Sequence, residues 1–299
     1  MKKEKSLSLL LVTSFIMILA ACSGGGSGDT SGGTGILEMS ITDAKPQLPA
    51  DVTNLFVTFN EVRVHKSGGG WISLPLVESP YTIDLLQFQD GNTTELVPPT
   101  RLAAGKYTQV RLGVASATIR FDNGGTTEDQ TVDVPSANLK TDKNFIFDVM
   151  EDAAVDMVIH FDLSMSLVVT GPPSNPSYKL KPVLHLFENP LQAATIGGSI
   201  DNTAFTGMNE AATISVIALS NQEKYTEVVV EKSDTDPTEF SIFWIVPNQA
   251  YRVEIDLDQS DPVDPLDWCE DVDSGSVPEG AVFMLNRGNP IVADSDTCN

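Results

Sequence analysis

From residue 155 to 163 the chain reads Val-Asp-Met-Val-Ile-His-Phe-Asp-Leu. Val155, Met157, Ile159, Phe161 and Leu163 fall on every second position, with Asp156, His160 and Asp162 between them. Successive side chains of a strand point to opposite faces, so this spacing specifies a strand with one apolar face. A helix would repeat its apolar positions every 3.6 residues. The alternation returns at 36–43, where Leu37, Met39 and Ile41 alternate with Glu38, Ser40 and Thr42. Further strands are expected at 71–74, 81–86, 107–114, 119–121, 130–134, 145–149 and 178–187. Five more are expected at 196–200, 213–219, 225–230, 240–246 and 251–257. Turn residues such as Gly68-Gly69-Gly70 and Asp90-Gly91-Asn92 separate them, and helix signals are scarce. The fold class is therefore all-β, and many short strands divided by turns suggest sandwiches.

The strand expected over 52–65 carries a fault in its period. Leu55, Val57 and Phe59 share one face, but Val62 and Val64 lie on the other parity. A strand cannot change parity without a bulge or a change of sheet, so a bulge is placed near Asn60–Glu61. Without it Glu61, Arg63 and His65 would face the core, and buried charges need partners. Pro182, inside 178–187, cannot donate to a ladder, which suggests an edge position or an outward N–H.

Residues 188–195 read as a junction between a first sandwich at 36–188 and a second at 195–258. A local phrase is shared across it. Ala104-Gly105-Lys106-Tyr107 and Val246-Pro247-Asn248-Gln249-Ala250-Tyr251 each give a turn, then an aromatic, then an alternating strand. Residues 259–299, rich in Asp and Pro, read as an acidic tail. A disulfide between Cys269 and Cys298 would close it into a loop worth roughly 3–4 kcal/mol in the chain-entropy picture. The chain has no Cys-x-x-Cys motif, so redox or zinc chemistry has no support in the sequence.

Ahead of the strands, Lys2, Lys3 and Lys5 precede an apolar run over 7–20 that ends in Leu19-Ala20-Ala21-Cys22. The run suits a signal-peptide core and falls short of the roughly 20 residues of a comfortable membrane span. The last four residues look like a lipobox, which implies removal of residues 1–21 and a diacylglycerol on the Cys22 thiol. Residues 22–35, Gly/Ser/Thr-rich with Asp29 as the single charge, form a flexible tether. Ser23 favours the outer membrane if the host is Gram-negative. The expected architecture is two β-sandwich modules in tandem behind a lipidated tether in the bacterial cell envelope, with the membrane as partner through Cys22. The formal net charge is −23, and loss of three lysines and one glutamate with residues 1–21 makes it −25. Such acidity argues against nucleic acid and against direct adhesion to anionic lipid. A salt-adapted host accounts for it as well as any function does.

Several phrases in order resemble the bacterial lipoprotein family known as domain of unknown function 4382, over about 35–188. They are Ser40-Ile41-Thr42-Asp43-Ala44, Val57-Thr58-Phe59-Asn60-Glu61-Val62-Arg63-Val64-His65, Trp71-Ile72-Ser73-Leu74 and Ile83-Asp84-Leu85-Leu86. They continue with 104–112, Phe161-Asp162-Leu163-Ser164 and Leu180-Lys181-Pro182-Val183-Leu184. Lys45 departs from the proline that the family often has after Asp-Ala. The family name implies no activity. The second module looks like a transthyretin-like or carboxypeptidase-regulatory-like sandwich.

Enzyme motifs such as Gly-x-Ser-x-Gly and His-Glu-x-x-His are absent from the sequence, and the chain is not expected to be an enzyme. His160 and His185 lie off the apolar parity of their strands and are expected to point to solvent. The candidate cluster is Asp43, Glu61, Arg63, His65, Asp84, Arg111 and Asp162. One reading pairs Glu61 with Arg63 or Arg111 as a structural ion pair. The other gathers Asp43, Glu61 and Asp84 around Ca²⁺ through oxygen ligands. No cofactor is otherwise called for. The sequence implies a non-catalytic binding, adhesion or scaffold module, with an envelope protein or polysaccharide as its partner. The alternatives are a calcium-stabilised carbohydrate- or peptide-binding protein and, with no motif behind it, an envelope hydrolase.

Overall fold

The computed structural model describes residues 32–43, 48–49, 51–136, 138–140, 145–172, 175–205, 210–257 and 267–292. Cys22 and Cys298, with the expectations resting on them, lie outside these residues. The first body contains β1 (Thr34–Asp43), β2 (Val52–Lys66), β3 (Trp71–Leu74), β4 (Tyr81–Asp84), β5 (Thr94–Ala103), β6 (Gly105–Asp122) and β7 (Thr127–Val132). It continues with β8 (Asn138–Lys140), β9 (Phe147–Val149), β10 (Ala154–Asp162), α1 (Leu163–Ser166), β11 (Leu167–Thr170), β12 (Ser177–Leu180) and β13 (Val183–Glu188).

Strands β13-β10-β1-β5 form a four-stranded sheet in which β1 and β10 run parallel. A seven-stranded sheet is built around β2 and β6, and β11 pairs with β12. The alternation of β1 and β10 delivers Leu37, Met39, Ile41, Met157, Ile159 and Phe161 to one core, where they meet Leu55, Val57, Phe59 and Val62 of β2. Phe59 and Phe161 pack edge to face across it, with ring centroids 6.3 Å apart. This is a β-sandwich.

The expected bulge is present. Phe59 pairs with Val114 and Glu61 with Gly113, which leaves Asn60 out of the ladder. Gly113 admits it, since a Cβ there would lie 2.4 Å from Asn60 Oδ1. Glu61, Arg63 and His65 therefore turn away from the core, while Val62 and Val64 are buried. Several strands differ from expectation: 107–114 and 119–121 join in β6, and β8 and β11 are additional. The run 178–187 breaks at Lys181-Pro182 into β12, which pairs with β11, and β13, which pairs with β10. Pro98 and Pro99 obscure β5, which pairs with β1 alone and so tolerates them at an edge.

The second body holds β14 (Ala194–Ile200), β15 (Ala211–Ala218), β16 (Glu223–Glu231), β17 (Thr238–Ile245), β18 (Tyr251–Asp256), β19 (Trp268–Val272) and β20 (Val282–Met284). Sheets β17-β14-β20 and β16-β15-β18-β19 enclose a second core. The acidic segment read as a tail does not stand apart from this body. It supplies β19 and β20, and it buries Trp268, Val272, Val277, Leu285 and Ile291 in the second core. Composition hides this because its apolar residues are scattered among surface acids. The cores divide between Phe187 and Ala194, and Gly32–Asn299 nevertheless forms one compact unit.

The shared phrase builds the same corner in each body. Tyr107 and Tyr251 are fully buried, and their hydroxyls donate to the carbonyls of Ala103 and Val246, both at 2.8 Å. Each bond ties a strand to the turn that feeds it. Tyr107→Phe and Tyr251→Phe should each lower unfolding free energy by about 1–2 kcal/mol, because a buried carbonyl loses its donor. Denaturant midpoints unchanged from wild type would show that the corners carry no stability.

Candidate functional site

Beyond Asp156, the outward face of β10 does not meet solvent. Val158, His160 and Asp162 are buried, with His160 only 1 % exposed. The expectation that His160 points to solvent is therefore corrected: the second body covers this face. Val158 and Phe187 pack against Trp244 of β17, with the Phe187 and Trp244 rings 5.6 Å apart. His160 and His185 sit directly opposite each other on β10 and β13, their rings 5.8 Å apart. His185, also expected in solvent, is half-buried and stacks on Tyr225 of β16 at 4.3 Å. Burial, with a smaller contribution from His185, pushes His160 down to about 3. Burial pushes His185 down to about 4, against a hydrogen bond to the backbone of Tyr225. Both rings are neutral at pH 7.

Strand β17 leaves its alternation to place Trp244 there. Ala194 pairs with Ile245 but Ile196 with Ile242, so the register shifts across Phe243 and Trp244. Trp244 takes φ +62°, a conformation that costs a bulky residue about 1–3 kcal/mol. The bulge sends Ile245 into the second core and Trp244 toward the first body. The Trp244 carbonyl accepts from the Tyr225 hydroxyl at 2.7 Å.

Beside this contact the two bodies leave a cleft of about 480 Å³, within the range of small-ligand sites. Asp43, His160 and residues 89–91 line it from the first body, and Thr226, residues 228–231 and residues 239–244 from the second. The 89–91 turn is pinned at both ends. Phe88 O accepts from the Asp43 N–H at 2.9 Å, and the Thr42 hydroxyl reaches the carbonyls of Phe88 and Asn92 at 3.0 and 2.6 Å. Gly91 has φ +82°, and a Cβ there would lie 3.2 Å from the Phe243 ring. Glycine thus serves both the turn and the close approach of the second body.

The sequence-derived cluster falls into three places. Asp43 and Asp162 converge on the first turn of α1. Asp43 accepts from Leu163 N–H at 2.9 Å, and Asp162 from Met165 N–H at 3.1 Å and the Ser164 hydroxyl at 2.5 Å. Burial raises the Asp162 carboxyl, while the Ser164 and Thr226 hydroxyls and nearby backbone N–H groups oppose that. Asp84 accepts from Asn54 Nδ2 at 2.7 Å and Leu55 N–H at 3.0 Å. Glu61, Arg63, His65 and Arg111 lie on the outer face of the seven-stranded sheet. There Glu61 pairs with Arg63, and the Arg111 guanidinium lies 4.1 Å over the Trp71 ring. His65 meets Trp71 edge-on at 5.1 Å and the Thr108 hydroxyl at 3.1 Å. Among the described residues no group of three or more His, Cys, Asp or Glu side chains converges as it would around a metal ion. Residues 89–91, Glu231, Glu239 and Trp244 escaped sequence reading. The unbroken apolar run Phe243-Trp244-Ile245-Val246, in a strand that otherwise alternates, was the available sign of the β17 bulge.

Residues 34–182 match the family described as "Domain of unknown function (DUF4382)". Curated proteins give no match. Two solved structures align at 10 % identity: a leucine-rich repeat protein from Bacteroides thetaiotaomicron and the Bacillus anthracis TIE protein. The first alignment covers 87 % of this chain and 26 % of that one, with a TM-score of 0.23. The second covers 90 % and 59 %, with a TM-score of 0.22. The chain thus spans about a quarter of one and three fifths of the other, and at these scores neither carries an argument. The DUF4382 match stops before β13, so His185 and Phe187 lie outside it while Asp43, His160 and Asp162 lie within.

The buried histidines set a pH dependence. Unfolded histidine takes up a proton near 6.5, whereas the folded rings stay neutral down to about 4 and 3. Below about pH 6.5 the unfolded state therefore binds more protons. The stability present above 6.5 is lost as the pH falls toward the folded values. Each histidine should cost roughly 2 kcal/mol between pH 7 and 5. Urea titrations at the two pH values should show a smaller loss for His160→Gln than for wild type. Identical losses would contradict burial of His160.

Proposed function

We propose that this protein is a non-catalytic binding lipoprotein of the bacterial envelope, and that the cleft between its two bodies receives the ligand. The observation carrying this reading is the cleft itself: about 480 Å³, lined from both bodies, with an apolar wall and an acidic rim. The anchor rests on Leu19-Ala20-Ala21-Cys22 and the Gly/Ser/Thr-rich sequence that follows it. Lipid on Cys22 would hold the protein in the envelope, at the outer membrane if Ser23 is read in a Gram-negative host. A Cys269–Cys298 disulfide, with Cys269 buried in β19, would fasten the end of the chain to the second body. The strand spacing of that body supports a transthyretin-like or carboxypeptidase-regulatory-like kinship.

Wild-type protein should partition into detergent and Cys22→Ala should stay in the aqueous phase. Equal partitioning would remove the lipid anchor. The unlipidated Cys22→Ala protein should bind isolated envelope material saturably. Adding Ser241→Trp, which fills the cleft from an exposed position, should weaken that binding at least about tenfold. Unchanged binding would place the ligand elsewhere.

A further inference from the structure

Asp90, Glu231 and Glu239 stand exposed around the cleft, and the buried Asp43 lines it as well. Among the described residues no lysine or arginine lines it. Val228, Val230, Ile242 and Phe243 form an apolar wall beside the carboxylates. An acidic rim alone would be unremarkable on a chain with a net charge of −23. Two side chains in the cleft add an independent observation. His160 and Trp244, 1 % and 8 % exposed, both line it, and His160 Nδ1 and Trp244 Nε1 have no hydrogen-bond partner among the described residues. Buried polar atoms are seldom left unmatched; the neutral His160 nitrogen calls for a donor, whereas the Trp244 N–H calls for an acceptor and does not bear on a cation.

We propose that the cleft selects a ligand carrying a protonated amine or guanidinium on an apolar body. This rests on the reading of the cleft as the binding site. Carboxylates gathered around a low-dielectric recess concentrate a negative field that attracts a cation and repels an anion. The apolar stem lies along the valine and isoleucine wall. The Phe243 and Trp244 rings favour a cation near their faces. A neutral imidazole nitrogen accepts a hydrogen bond from an ammonium group, and so gives His160 the partner it lacks. A free small amine and a basic side chain of a peptide share this chemistry.

Calorimetry on the intact unlipidated Cys22→Ala protein tests the proposal with three probes of one shape: 4-phenylbutylamine, 4-phenylbutanol and 4-phenylbutyrate. The amine should bind about tenfold or more tighter than the alcohol, and the carboxylate weakest. High salt should shrink the difference. Glu231→Gln with Glu239→Gln, both at exposed positions, should erase the preference and leave the affinity for the alcohol unchanged. Acetyl-Phe-Lys-amide against acetyl-Phe-norleucine-amide should show the same preference if the source is a peptide. Preference for the free amine alone supports the small-molecule source. An alcohol that binds as tightly as the amine, with binding lost in Ser241→Trp, overturns the cation assignment and leaves the cleft standing. Amine binding that survives Ser241→Trp overturns the proposal by placing the amine on the outer surface. Binding of none of the probes at millimolar concentration overturns the proposal and the cleft together.

Discussion

The contact of the second body with the outward face of β10 is the constraint on which the rest depends. That face carries Val158, His160 and Asp162, two of them polar, and each is desolvated where the bodies meet. Burying such groups is unfavourable unless they are satisfied or neutral. The chain meets this in two ways. Asp162 gives its carboxylate to the first turn of α1, and the histidines remain uncharged. The apolar contact of Val158, Phe187 and Trp244, with the stacking of His185 on Tyr225, supplies the opposing gain.

The geometry of the cleft follows from that contact. Trp244 reaches the first body only because β17 bulges, and the strained backbone there is held by the Tyr225 hydroxyl on its carbonyl. Gly91 lets the 89–91 turn approach Phe243, and Thr42 clamps the turn from the end of β1. The recess left between these elements is thus bounded by segments each fixed to a sheet. A site mounted on sheet-anchored elements holds its geometry better than one on free loops.

The strands were legible because alternation reports burial on one face. The apolar face of β10 and the parity change at Asn60 both follow from that rule, although the strand ends at Asp162 and Leu163 opens α1. The same rule failed for His160 and His185. A period of two separates the faces but does not say whether the second face meets water or another body. Asp43 and Asp162 were singled out from the family-like phrases, yet their shared task at α1 depends on a contact across 120 residues, which local sequence does not display. The bulge that the parity change calls for also carries Glu61 out of the core to a half-exposed pair with Arg63. The acidic end of the chain was misjudged because composition outweighed the few apolar positions that reach the second core. The cleft itself was invisible, since its walls come from residues about 43, 90, 160, 230 and 240, which only the packing of the two bodies brings together.

The central claim is that the second body closes over β10 and desolvates the histidine pair beside the cleft. Site-resolved NMR titration of the His160 and His185 ring protons in the folded protein tests it most directly. The structure predicts that His160 and His185 keep their neutral-form shifts from pH 7 down to at least pH 5, consistent with values of about 3 and 4. Titration of either ring with a midpoint near 6.5, the value of a solvated histidine, would contradict closure over β10 and remove the cleft with it.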